Sequence, residues 1–181
     1  MNEINLDTSR LHLRSMRSSD IDELINIFGD PKVMDSFHTA PFDRAQMQHW
    51  IEGNLEHQVM YGYGLFSIIL KSEDTLIGDC GLEHMTMDGN QVTELGYDFR
   101  SDYWNQGFAT EAAMAVRDYA FNVLKLPGLI SLIRIGNKAS KRVSEKIGMH
   151  FEVEMTRNEI TYWKYAIKNH DITKKVRVDQ P

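Results

Sequence analysis

The sequence predicts one mixed α/β domain, an α+β arrangement with a largely antiparallel sheet of about seven strands flanked by about four helices. Three observations carry this. Short apolar runs come in neighbouring pairs bounded by turn residues, and Asp88-Gly89 is a strong two-residue hairpin signal. Neighbouring hairpins of this kind build antiparallel sheets. Segments with apolar residues at helical spacing interrupt the strands, giving the order β-α-α-β-β-β-α-β-α-β-β. No stretch of the 181 residues reads as a linker, a repeat or a low-complexity tract, so residues 1–181 form a single domain.

Leu6 to Arg14 alternates as a first strand, with Leu11 and Leu13 on one face. Ser18-Ser19-Asp20 offers capping oxygens to a helix whose buried face is Ile21, Leu24, Ile25 and Phe28; Gly29 and Asp30-Pro31 stop it. Asp43 starts a second helix, with Gln46 at the capping-box position, a Phe42–Met47 staple, and Met47, Trp50, Ile51, Leu55 and Val59 as its inner face. Strands follow at Gly64–Leu70, Thr75–Met85 and Val92–Arg100. The longest helix runs from Phe108 to Leu126, carrying Ala109, Ala112, Ala113, Val116, Ala120 and Leu124 at helical spacing, and Pro127-Gly128 ends it. Leu129–Ile135 is a strand, Asn137 caps a short helix closed by Gly148, and Phe151–Met155 with Ile160–Lys168 forms a hairpin around Arg157-Asn158.

Twenty basic residues against twenty-six acidic ones give a net charge of −6. This argues against a nucleic-acid partner, because phosphate contacts demand basic surface. A cationic partner fits better. The single Cys80 excludes an intrachain disulfide framework and any multi-cysteine zinc site, and suits a reduced, cytoplasmic setting. It falls on the Leu76/Leu82 face of its strand and reads as core. Met1-Asn2-Glu3-Ile4-Asn5 lacks the basic-then-apolar layout of a signal peptide. Leu65–Leu70 and Gly128–Ile133 are too short to span a bilayer, so no membrane partner is expected.

Two kinds of candidate chemistry stand out, an anion site and an acidic face. The first turn of the longest helix has unpaired N–H groups and a partial positive charge. Before it, Tyr103-Trp104-Asn105-Gln106-Gly107-Phe108-Ala109-Thr110-Glu111 places Gly107 and small Ala109 where backbone can approach a phosphate or pyrophosphate. The run Arg134, Lys138, Lys141, Arg142 and Lys146, opposed only by Glu145, is a local reversal of charge suited to the same anion. The acidic face belongs to the Asp88-Gly89 hairpin. A two-residue loop there sets Glu83 opposite Glu94, Gly81 opposite Gly96 and Asp79 opposite Asp98, all on one face. Like charges directly opposed are destabilising, which calls for a reason. The glycines leave open space, such a face could hold an ammonium group, and a carboxylate beside another gains a raised pKa suited to a general base.

Taken together, these residues resemble the GNAT superfamily of acyl-CoA-dependent N-acetyltransferases, and within it the ribosomal-protein N-terminal serine and alanine acetyltransferases. The resemblance rests on Leu6-Asp7-Thr8-Ser9-Arg10-Leu11-His12-Leu13-Arg14, on Glu94-Leu95-Gly96-Tyr97, and on the Tyr103–Ala112 segment. Asn137-Lys138-Ala139-Ser140-Lys141-Arg142 and Lys146-Ile147-Gly148-Met149 complete it, so that it spans about Leu6 to Asp171. It implies a GNAT-like fold that binds acetyl-CoA where the sheet splays after the Val92–Arg100 strand. The pantetheine arm would pair beside Tyr97, Asp98 and Phe99. The pyrophosphate would sit on amides of Asn105, Gln106, Gly107, Phe108, Ala109 and Thr110. Asn137 would bond to the arm, and Trp104 would not be a phosphate ligand.

The implied reaction is direct attack by an amine, with no metal and no enzyme nucleophile. Glu94 is expected as base, with Glu83 second and His84 and His38 as weaker candidates. Ser140 is expected to assist the leaving thiolate, with Ser144 as fallback. The expected acceptor is a protein N-terminal α-amine; a polyamine or another small amine is the alternative. Two other classes stay open: a non-catalytic acyl-CoA-binding module on the same fold, and a homodimeric interaction protein using Trp163 and Tyr165.

Overall fold

The structure is a computed structural model, and it describes residues 4–169. Its sheet has eight strands in the order β1-β2-β3-β4-β5-β6-β8-β7. These are β1 (Asn5–Asp7), β2 (Leu11–Ser15), β3 (Leu65–Leu70), β4 (Thr75–Met87), β5 (Asn90–Phe99), β6 (Gly128–Arg134), β7 (His150–Arg157) and β8 (Ile160–Lys168). The helices are α1 (Ile21–Phe28), α2 (Pro31–Asp35), α3 (Arg44–Tyr61), α4 (Phe108–Asn122) and α5 (Lys138–Lys146). All neighbouring strands are antiparallel except β5 and β6, which are parallel and joined through α4. The mixed, mostly antiparallel single layer matches the expectation, with one strand and one helix more than predicted.

The extra strand comes from the first segment. Leu6–Arg14 is two strands, because the chain turns at Thr8, where the Thr8 N–H and hydroxyl both reach Leu11 O. The extra helix is α2. Asp30-Pro31 stops α1 as expected, but Asp30 then caps a new turn by accepting from the Lys32 N–H, and Pro31 occupies its first position, where a missing N–H costs nothing.

Strand alternation feeds two cores. Leu13, Phe66, Ile68, Ile77, Cys80, Leu82 and Leu95 pack under α4, whose Ala112, Ala113, Val116 and Ala120 are fully buried. Leu65 and Leu76 face the other way, toward Leu24, Ile27, Phe28, Met34, Met47 and Ile51 of α1–α3. Cys80 is therefore core, as expected, but it shares its face with Leu82 and not with Leu76, because the β3–β4 register shifts at Ile68/Ile69 and turns Leu76 to the other side. On α1, Ile27 is buried where Ile25 is only half-buried. On α3 the capping box between Asp43 and Gln46 forms as predicted, yet Val59 is 73% exposed and so does not belong to the inner face. Phe42 stacks on Phe28 at 5.7 Å.

Ser18–Asp20 is a single 3-10 turn, and the Asp20 carboxylate does not cap α1. It is drawn inward, accepting from Arg14 Nη1 and Nη2 at 2.8 and 2.7 Å, Ser67 Oγ at 2.6 Å and the Arg17 N–H at 2.9 Å. Burial alone would raise its carboxyl pKa; these donors overcome that and hold it below the usual range. No helix among the described residues is long and apolar enough to cross a membrane.

Candidate active site

Met87 pairs with Asn90 across the Asp88-Gly89 turn, so the predicted register holds: Glu83 opposite Glu94, Gly81 opposite Gly96, Asp79 opposite Asp98. The two glycines differ in what they do. A Cβ on Gly96 would meet nothing within 4 Å, so this position does leave open space. A Cβ on Gly81 would lie 2.3 Å from Gly64 O, so that glycine admits β3 backbone, and the expected opening there is filled.

Above Gly96 lies a cavity of about 240 Å³. Its floor is Asp79, Gly96 and Asp98, with Glu83 beside them, and its wall includes Phe28, Phe37, Phe42 and Trp50 from the α1–α3 side. Asp79 is 1% exposed, and its Oδ2 has no hydrogen-bond partner among the described residues. Burial, then the facing Asp98 and Glu83 charges, push its carboxyl well above the ordinary range. Asp98 is raised in the same way, by burial and then by Glu83. Two carboxyls in such a setting resist losing both protons. Glu83 reaches solvent at the mouth yet is ringed by protein atoms, and that crowding shifts it upward as well.

Glu94 does not line the cavity. β5 and β6 pair only at Glu94 and Ile130 and then diverge. In the gap, Ser131 Oγ donates to Leu95 O at 2.6 Å, and Glu94 Oε1 accepts from the Leu132 N–H at 3.0 Å. Burial pushes the Glu94 carboxyl up to about 7; the Leu132 N–H opposes that and the Glu83 charge reinforces it. Glu94 is thus coupled to the cavity through Glu83, its cross-strand partner. Beyond this point the β5 edge has no strand partner on the β6 side among the described residues, which is the expected splay beside Tyr97, Asp98 and Phe99.

The end of β5 leads into the cradle. Asn105 and Gly107 have positive φ, 61° and 86°, and Gly107 caps α4 with no side-chain hydrogen bond. Among the described residues, none of the N–H groups from Asn105 to Thr110 donates a hydrogen bond. Unpaired amides at a helix N-terminus form an anion site, so the chain fits a pyrophosphate here. Trp104 turns away, its Nε1 donating to Phe99 O at 2.7 Å, as expected of a residue that is not a phosphate ligand.

Glu111 does more than a first-turn carboxylate needs to. It accepts from Thr8 Oγ1, Ser9 Oγ and the Arg10 N–H, and pairs with the Arg10 guanidinium at 2.7 Å. Arg10 in turn donates to Gln106 O at 3.0 Å and lies 4.3 Å over the Phe108 ring. The β1–β2 turn therefore braces the cradle from outside.

Across the gap, Asn137 caps α5 by accepting from the Ser140 N–H at 3.0 Å, which leaves its amide NH₂ with no partner among the described residues. Tyr97 OH donates to Ser140 O at 3.1 Å, tying α5 to β5. Ser140 is half-buried; Ser144 is fully buried, its Oγ unpartnered. Of the basic run, Lys141 pairs with Glu145 at 3.8 Å and lies 5.4 Å over Trp163. Lys138, Arg142 and Lys146 point to solvent.

Burial lifts the Cys80 thiol far above its usual pKa, so it is no nucleophile. The His84 ring stacks on Tyr61 at 4.3 Å. Tyr165 is 3% exposed, while Trp163 is half-buried, packed against the core on one side and under Lys141 on the other. No group of metal-ligating side chains is found among the described residues. Sequence reasoning missed the aromatic wall, since Phe28, Phe42 and Trp50 read equally well as helix-core residues. It also missed Asp79 as a site residue in its own right, although the cross-strand register pointed to it.

The known proteins agree with this geometry. A model of the acetyltransferase (GNAT) domain family matches residues 10–150. The N-acetyltransferase p20 of Bacillus licheniformis is 31% identical over 148 residues, 81% of this chain and 83% of that one. A GNAT-family acetyltransferase from Bacillus anthracis superposes with a TM-score of 0.78 at 26% identity, over 92% of this chain and 99% of that one. RimL, a ribosomal L7/L12 alpha-N-protein acetyltransferase solved with coenzyme A, shares the fold with a TM-score of 0.74 at 15% identity, over 91% and 98% of the two chains. The splayed sheet, the amide cradle and the acidic cavity thus belong to an N-acetyltransferase of the GNAT family.

Proposed function

We propose that this chain transfers an acetyl group from acetyl-CoA to a primary amine by direct attack. The observation that carries this is the unpaired end of β5, which has the amide cradle of Asn105, Gln106, Gly107, Phe108, Ala109 and Thr110 at its end and the acidic cavity on its face. The cradle would hold the pyrophosphate, and the backbone of Tyr97, Asp98 and Phe99 and the free amide of Asn137 the pantetheine arm. When bound, the thioester supplies the activated acetyl group.

Amines have pKa values of roughly 8 to 10, so a proton must leave near neutral pH. Glu94 takes that proton, relayed through Glu83, because its carboxyl near 7 suits a base at that pH. The amine nitrogen bonds to the thioester carbonyl carbon and the C–S bond breaks; the nitrogen sheds its second proton to become the amide, and Ser140 passes that proton on, giving its own to the departing thiolate as it takes the nitrogen's, so that it ends as the hydroxyl again. Ser140 is the better placed of the two serines, as Ser144 is sealed in the core.

A protein N-terminal α-amine of the ribosomal serine/alanine type is supported by the motif resemblance and by the fold shared with RimL. The cavity itself favours a smaller acceptor. The test is thiol release from acetyl-CoA across a panel of amines and N-terminal peptides. Amine-dependent release is expected. Acetyl-CoA binding without release for any amine would leave an acyl-CoA-binding module instead.

A further inference from the structure

The cavity has two chemically distinct halves. On one side Phe28 lies 5.7 Å from Phe42 and 4.7 Å from Trp50, and Phe37 lines the same side of the cavity. Phe37, Phe42 and Trp50 pack on the α1–α3 core with one side and remain half-exposed on the side that lines the cavity. On the other side are Asp79 and Asp98, with Glu83 at the mouth. Asp79 Oδ2 is a fully buried acceptor with no donor among the described residues, an expensive arrangement that an N–H from a ligand would relieve. The volume of about 240 Å³ limits the part of a guest held inside the cavity to a compact group.

We propose that the acceptor is a small primary amine with an aromatic or branched apolar body, its nitrogen seated against Asp79 and Asp98 and its body against Phe28, Phe37, Phe42 and Trp50. This rests on the acetyltransferase reading above. Asp98 belongs to the same stretch of β5 that borders the gap, so a nitrogen on this floor lies beside the incoming thioester. The wall carries no acid. A polyamine would lay its further ammonium groups on rings without a carboxylate partner, and a peptide would bury amide groups there unpaired. A phenyl group instead gains from burial and from ring contacts.

The experiment compares kcat/KM for 2-phenylethylamine, n-propylamine, spermidine and a peptide with a free N-terminal serine. The expected result is an advantage of about 10- to 100-fold for 2-phenylethylamine over n-propylamine, set by the buried ring. Phe42→Leu and Trp50→Ala should shrink that advantage while leaving acetyl-CoA stabilisation intact, which also reports that each variant folds. Asp79→Asn should raise KM for all amines. Release led by spermidine or by the peptide, or a phenyl advantage untouched in both wall variants, overturns this proposal and leaves the acetyltransferase reading standing. Release with no amine overturns both.

Discussion

Replacing Glu94 with Gln separates chemistry from scaffolding. Glutamine keeps the shape and keeps a carbonyl oxygen for the Leu132 N–H, but it cannot take a proton. The carboxyl pKa is raised from 4.5 to about 7, so the ionised form is disfavoured in the folded protein. Its favourable contribution to stability is therefore complete below about 4.5 and is lost as pH rises through about 7. That rise corresponds to at most about 3 kcal/mol, reduced by screening because the carboxyl is partly exposed. At pH 8 the variant should then melt about 2–8 °C higher than the parent. Its kcat/KM should fall about 10²- to 10⁴-fold, and the parent's rise in rate through pH 7 should disappear. The assays are thermal melts at pH 5 and pH 8 and thiol release across the same range. A variant within threefold of parental activity (about 0.7 kcal/mol) with an unchanged pH profile would remove Glu94 as base. A melting temperature that falls at pH 8 would refute the electrostatic reasoning.

Three further substitutions probe the rest of the account. Gly107→Glu puts a charged side chain at a φ of 86° in the anion cradle, and should abolish the thermal shift produced by acetyl-CoA; a retained shift would refute the role of this loop. Glu111→Gln weakens the clasp on Arg10, and should raise KM for acetyl-CoA by about tenfold with kcat nearly unchanged, marking a positioning residue. Equal losses in both constants would speak against that. Asp20→Ala removes the buried carboxylate that accepts from Arg14, Ser67 and the Arg17 N–H together, and should cost about 3–5 kcal/mol in denaturant unfolding. A loss under about 1 kcal/mol would mean that the pair behaves like a surface ion pair.

Much of this was legible in the chain because it rests on local rules. The Asp88-Gly89 turn fixed a register, and from that alone followed the opposition of Glu83 with Glu94 and of Asp79 with Asp98. Gly107 announced the cradle. What stayed hidden depends on contacts distant in sequence. Nothing near Glu111 says that it will clasp a turn a hundred residues earlier, and nothing near Thr8 says that the first strand will break there. Phe42 and Trp50 satisfy a helix-core pattern, and only the packing of α1 and α3 on the sheet beside β4 turns them into a cavity wall. Gly81 and Gly96 look equivalent in the hairpin, and the close approach of Gly64 backbone is what separates them.

The central claim is direct transfer, with both substrates bound at once and no acyl-enzyme. Varying acetyl-CoA and the amine together in initial-rate measurements tests it most directly. With Cys80 sealed in the core and its thiol pKa far above neutral, the account predicts intersecting double-reciprocal lines. Parallel lines, the signature of a covalent intermediate, would contradict it.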